Sequence, residues 1–232
     1  MMMDESQRTA AKVAGVLYLV MMATSIFFDA FVRANLVVAG DAARTASNIL
    51  ASERLFRVGI AFELITAAGD IALVIALYVV LKPVSQGLAL LAAFWRLAES
   101  VVFAVVALTS LVTLLFLSDA THLRAFTPEQ LHSLARLAIS AHVAGFNIGL
   151  AFLGLGGALF SYLLFKARYV PAAFGVLGMV SYTLMASGCV AVILFPGVAR
   201  FIVPGLWTPA FAFEVGCGLW FLVKGLRPAD AG

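Results

Sequence analysis

Residues 55–117 read LFRVGIAFELITAAGDIALVIALYVVLKPVSQGLALLAAFWRLAESVVFAVVALTSLVTLLFL. Two apolar runs, 55–81 and 88–117, flank a short turn that opens on Lys82-Pro83. Each run is long enough for a helix to cross the roughly 30 Å hydrocarbon core of a bilayer. Neither alternates with period two, and both exceed the roughly 9–11 residues of a barrel strand, so a helix is the spanning form that remains. Both also carry ionisable residues deep inside: Glu63 and Asp70 in the first, Arg96 and Glu99 in the second.

The rest of the chain extends this pattern. Its 232 residues are 63% hydrophobic and 12% charged, against about 45–50% and 25% in soluble domains. The mean hydropathy is +1.07, which excludes an ordinary soluble globule and a disordered chain. Two cysteines exclude a disulfide scaffold. A net charge of +3 spread along the chain offers no basic face, so no nucleic-acid partner is expected. The reading is all-α: one polytopic transmembrane helix bundle over 1–232, with spans at 12–33, 55–81, 88–117, 139–165, 171–194 and 207–223. The first apolar run follows Arg8 and Lys12 like a signal peptide, but no small-residue cleavage site follows, so it reads as a retained helix. Thr127-Pro128-Glu129 reads as a helix start well ahead of the fourth span. In the first loop, Gly40-Asp41 followed by AARTASNIL reads as a capped, short amphipathic helix, either a surface helix with Arg44 and Arg54 touching phosphates or a lid over a cavity.

Tyr78-x-x-x-Lys82, Tyr162-x-x-x-Lys166 and Trp220-x-x-x-Lys224 close the second, fourth and sixth spans. An aromatic ring and a lysine at i, i+4 share one helix face, with the ring at headgroup depth and the ammonium snorkelling to water. These ends, with Lys12, belong on one side. Arg33, Arg44, Arg54, Arg57, Arg124, Arg136 and Arg200 belong on the other, so the positive-inside rule is nearly silent. The tight turns on the lysine side favour cytoplasmic termini.

The informative residues are the ionisable ones within the spans: Glu63, Asp70, Arg96, Glu99, His142 and Glu214, with Asp29 near the end of the first span. Five deep charges, Glu63, Asp70, Arg96, Glu99 and Glu214, would cost on the order of 12–18 kcal/mol if insertion penalties simply added. That exceeds the stability of a typical domain, so they must face inward and compensate one another. Gly59, Glu63, Thr66 and Asp70 form one stripe at steps of four, three and four. Arg96, Glu99 and Ser100 cluster on the third span, and Tyr18, Ser25 and Asp29 align on the first. His142, Gly145 and Gly149 share a face of the fourth. Depth counting puts Asp70, Arg96 and Glu99 together, and Glu63, Glu214 and His142 in the opposite half. Four carboxylates face one arginine, so an ordinary salt bridge of Arg96 with Asp70 or Glu99 leaves surplus acids. These must be protonated, solvated in a cavity, or bound to a cation.

Glu63, His142 and Glu214 are a weak candidate metal set, carboxylate-rich with one nitrogen. No His-x-x-x-His, Glu-x-x-His or cysteine pair supports it, and no cofactor is expected. His122 and His132 read as solvated. Cys189 and Cys217 read as small apolar packing residues, a buried disulfide being the alternative. Gly149, Gly154, Gly156 and Gly157 make a packing surface rather than a phosphate loop. The Gly145/Gly149/Gly156 face offers a homo-oligomer contact. Asn147, off the His142 face, would hydrogen-bond a neighbouring helix or a ligand.

The segments RTAAKVAGVLYLV, GDAARTASNILASERLFRVG, DIALVIALYVVLKPVSQGLALLAAFWRLAE and FNIGLAFLGLGGALFSYLLFKARYVPAAFGVLG resemble an uncharacterised bacterial membrane family, domain of unknown function 4386. The likeness runs from about Arg8 to Arg227 and is most specific in LYxxLKPV and GDA. It implies a bundle of about six helices in the bacterial inner membrane and no known activity. It also implies a histidine where Gly156 stands here, so the metal reading loses a ligand.

Three functions follow from these residues. The leading one is a membrane protein whose acidic site of Glu63, Asp70, Arg96, Glu99, His142, Glu214, Asn147 and Asp29 binds or transports a small apolar or cationic molecule, with proton linkage. The second is an intramembrane enzyme using a protonated carboxylic acid on a lipid-like or isoprenoid substrate. The third is a structural or partner-binding protein. Membrane lipids are partners in all three.

Overall fold

A computed structural model of the chain describes residues 4–118, 120–199, 202, 205 and 208–226. Its elements are α1 (Glu5–Phe27), a π-helical stretch (Phe28–Arg33) closed by one α-helical turn (Ala34–Leu36), α2 (Ala42–Ala51), α3 (Glu53–Leu81), α4 (Gln86–Phe116), α5 (Pro128–Lys166), α6 (Ala172–Leu194) and α7 (Thr208–Val223). Short 3-10 turns lie at Thr121–Leu123 and Pro196–Val198. No strand occurs among the described residues.

Among the described residues, five helical segments are long and apolar enough to cross a membrane: Glu5–Leu36, Glu53–Leu81, Gln86–Phe116, Pro128–Lys166 and Ala172–Leu194. The sixth expected span is a shorter apolar helix, α7, of 16 residues. Trp207, placed at its start, lies outside the described residues, as do Arg200 and Arg227. The exterior of the long helices is apolar. Val101, Val105, Leu108, Leu111 and Leu115 leave a continuous exposed face on α4, with Val105 at 57%, while Asp70, Glu99 and Arg96 are 1%, 2% and 4% exposed. Greasy outside and charged inside is the arrangement a lipid solvent demands. The chain is a multi-pass helical membrane protein.

Local chemistry explains the helix limits. Asp41 caps α2, its Oδ1 accepting from the Arg44 backbone amide at 2.8 Å, and Gly40 turns the chain at φ +78°. Thr127 and Gln130 form a capping box at the head of α5: Gln130 N donates to Thr127 Oγ1 at 3.3 Å and Thr127 N to Gln130 Oε1 at 2.9 Å. From there α5 runs unbroken for 39 residues, so the amphipathic start and the expected crossing are one helix. The first helix begins seven residues before the expected Lys12, at Glu5. Gln7 is buried there and donates its side-chain amide to Val80 O at 3.1 Å.

The described chain divides into two compact units, each built from separate stretches. The first takes the residues up to Met22, Ala68–Ser100 and everything from Ile148 on. Its core holds Tyr182, Met185, Cys189, Phe213, Cys217 and Phe221, all buried. Glycines let its backbones touch: a Cβ on Gly15 would sit 2.8 Å from Gly218 O. The second unit takes Ala23–Ala67 and Val101–Asn147, around Val32, Leu36, Ile49, Phe56, Ile60 and Leu114. Lys12, Lys82, Lys166 and Lys224 all belong to the first unit, and Arg33, Arg44, Arg54, Arg57, Arg124 and Arg136 to the second.

Candidate functional site

All of the sequence-nominated acids except Asp29 fall into two polar clusters, one in each unit. In the first unit, Asp70 on α3 and Arg96 on α4 form a buried ion pair. Arg96 also reaches back along its own helix to Glu99, Nη1 to Oε2 at 2.8 Å. Ser100 Oγ donates to Asp70 Oδ2 at 2.6 Å. One guanidinium therefore serves two carboxylates, where a single pair was expected.

Glycine creates the space for this arginine. A Cβ on Gly156 of α5 would fall 2.6 Å from Arg96 Cγ and 2.9 Å from Ala92 O. Gly154 and Gly157 do the same for α6: a Cβ on Gly157 would meet the Tyr182 ring at 2.7 Å, and one on Gly154 the Tyr182 carbonyl at 2.6 Å. So held, and with Phe213 set edge-on at 5.6 Å, Tyr182 donates its hydroxyl to Glu214 Oε1 on α7 at 2.7 Å. Glu214 lies within electrostatic reach of Asp70, Glu99 and Arg96, and Tyr18 on α1 within reach of Arg96 and Glu214. This centre thus holds three carboxylates, two phenols and one cation.

In the second unit, Glu63 on α3 meets His142 on α5, Oε1 to Nε2 at 2.5 Å. The imidazole and the carboxyl form one hydrogen bond, its donor set by the ring tautomer. Ser110 on α4 donates to Glu63 Oε2 at 3.1 Å. The imidazole is held between Phe28 (5.8 Å) and Phe146 (6.3 Å), and Phe146 stacks on Phe103 at 5.0 Å. Gly145 allows the approach of α4, since a Cβ there would meet Val106 Cγ2 at 2.8 Å. Thr66 continues the α3 stripe with a 2.8 Å hydrogen bond to Thr24, and Gly59 with packing on Val32.

All of these residues fall within the stretch that a family comparison matches. The profile of the family described as Domain of unknown function (DUF4386) covers residues 13–225. The chain belongs to that family. No curated protein and no solved structure matches it.

Several expectations for this family member are corrected. Glu214 joins Asp70, Arg96 and Glu99 rather than Glu63 and His142. It stands ten residues before Lys224, as Asp70 stands twelve before Lys82, so equal helical rise puts them at similar heights. The set Glu63, His142, Glu214 is accordingly not a metal site. Among the described residues no three His, Cys, Asp or Glu side chains group to hold an ion. Asp29 stays outside both clusters, exposed and paired with Arg33 Nε at 2.6 Å, and Ser25 is exposed too. An i, i+4 counterion lets an acid remain at the surface. Gly145 packs against Val106 and Gly156 against Arg96 and Ala92, and Gly149 is buried. Cys189 and Cys217 are buried and form no disulfide, in keeping with the packing role expected of them. Asn147 is partly buried and has a partner. The residues not singled out beforehand are Ser110 and Tyr182; hydroxyls at helical spacing inside apolar runs were the available signal.

Proposed function

We propose that this chain is a multi-pass protein of the bacterial inner membrane, with both termini cytoplasmic, whose buried acids bind or carry a small apolar or cationic molecule, a cation in exchange for a proton. The observation that carries the reading is the charge imbalance of the first cluster. Asp70, Glu99 and Glu214 share the single cation Arg96. In an apolar interior an unmatched carboxylate holds a proton, and a cation that displaces it leaves a neutral ion pair. The exchange balances as one carboxylic acid plus one cation giving one carboxylate–cation pair plus one released proton.

The test uses the purified full chain in proteoliposomes with tetraphenylphosphonium as the probe. Binding should release protons into weakly buffered medium and tighten as pH rises. Glu214→Gln, which keeps the shape and a partner for Tyr182, should remove both the release and the pH dependence. Binding that is independent of pH and unchanged by Glu214→Gln, or no binding at any pH, overturns the reading.

A further inference from the structure

The second unit holds a pocket that none of the acids lines. Its volume is about 370 Å³, at the lower end of the roughly 300–1,000 Å³ usual for small-molecule sites. The apolar wall is Phe27, Phe31, Leu36 and Leu55; the polar part is Asn35, Asn48 and Ser52. The π-helical stretch builds one side. Phe27 and Phe31 stack there with centroids 5.2 Å apart. Asn35 Nδ2 donates to the Ala30 and Phe31 carbonyls, both at 3.0 Å, which fixes the turn. The end of α2 builds the other side, tied across by Asn48 Nδ2 to Leu36 O at 3.4 Å.

These ties spend both amide N–H groups of Asn35 and one of the two on Asn48, and leave the side-chain oxygens. Among the described residues Asn35 Oδ1, Asn48 Oδ1 and Ser52 Oγ have no partner. Two acceptors, one spare amide N–H and one hydroxyl therefore belong to residues that line the pocket beside its apolar wall. No charged side chain lines the pocket. The Asp29–Arg33 and Glu53–Arg57 charges on the flanking segments are matched within their own helical turns. Arg54, on the first turn of α3, has no ion pair among the described residues but is not part of the lining; a hydroxyl could donate to an asparagine oxygen and accept from Ser52.

We infer that this pocket binds a neutral amphiphile, its hydroxyl head on Asn35, Asn48 and Ser52 and its hydrocarbon against Phe27, Phe31 and Leu55. The site is independent of the proton-linked reading, because its residues and its ligand chemistry differ.

The experiment reconstitutes the full chain in phospholipid nanodiscs with a monoacylglycerol bearing a diazirine in its acyl chain, then maps cross-links by mass spectrometry. Labels should concentrate on 27–36 and 48–55, and unlabelled monoacylglycerol should compete. Competition by octanol as well assigns the site to alcohols in general, and its absence to glycerol lipids; either agrees with the inference. Ala51→Trp, at an exposed pocket position, should abolish the labelling. Ser52→Ala should weaken it by roughly tenfold, the effect of one lost hydrogen bond. Each variant must keep the parent melting temperature, so that loss is not unfolding. Labels spread evenly over the lipid-facing helices, equal labelling by fatty-acid or alkylammonium probes, or undiminished labelling of Ala51→Trp would overturn it.

Discussion

Arg96 has no exit. It is buried with Asp70 and Glu99, so removing its charge leaves two carboxylates sharing an apolar interior. Breaking a buried pair on one side costs about 3–5 kcal/mol, whereas replacing all partners with neutral groups of like shape is often close to neutral. Arg96→Gln should therefore unfold at a much lower temperature in detergent. The triple change Asp70→Asn, Arg96→Gln, Glu99→Gln should recover most of that loss. A triple variant as unstable as the single would mean that the guanidinium acts through packing along Gly156 rather than through charge. At this scale the sequence is informative where charge and spacing coincide. Glu99 lies one turn from Arg96, so their contact is readable from the string alone. The role of Tyr182 is not, because a phenol in an apolar run reads equally well as packing, and only the glycine face of α5 turns it toward Glu214. Asp29 misleads for the converse reason: an acid near a span end looks deep until Arg33, four residues on, is counted as its partner.

Elements follow the sequence most closely where a terminus has its own chemistry. The start of α5 at Thr127-Pro128 and the cap of α2 at Asp41 are both legible, because a side-chain oxygen must meet amides that no earlier turn can satisfy. Asp41→Ala should cost about 1 kcal/mol, confined to α2, so amide exchange over Ala42–Ala51 should quicken while that of α3 stays put. Uniform exchange across both helices would show the cap to be redundant. The π-helical stretch Phe28–Arg33 escapes such reading. No composition marks the wider i→i+5 turn, and it is held by Asn35 from outside its own span. It is also where the amphiphile pocket lies, so the least legible element of the fold carries a site that the acids never pointed to.

For the whole molecule the open matter is which way the bundle faces, and the cations bear on it. Three lysines sit at the ends of α3, α5 and α7 and Lys12 lies two turns into α1, all exposed and all in the first unit. The arginines of the 33–57 and 124–136 segments belong to the second. Lysine snorkels as a strongly hydrated point charge; the connection from Leu81 to Gln86 is too short to cross back, so the end of α3 and the start of α4 share one face, and the orientation proposed above puts the other lysines with them. The proposed cytoplasmic placement of that face rests on its short turns, since cation numbers alone do not choose. Single cysteines at Lys82, Lys166, Arg44 and Arg124, with Cys189 and Cys217 left in place because both are buried, make the choice measurable with a membrane-impermeant maleimide. Arg44→Cys and Arg124→Cys should react in intact cells, and Lys82→Cys and Lys166→Cys only after permeabilisation. The inverse pattern would keep the bundle and reverse its orientation. Mixed reactivity within either pair would break the alternation of spans itself, because two helix ends on one face of a bilayer cannot be reached from opposite sides.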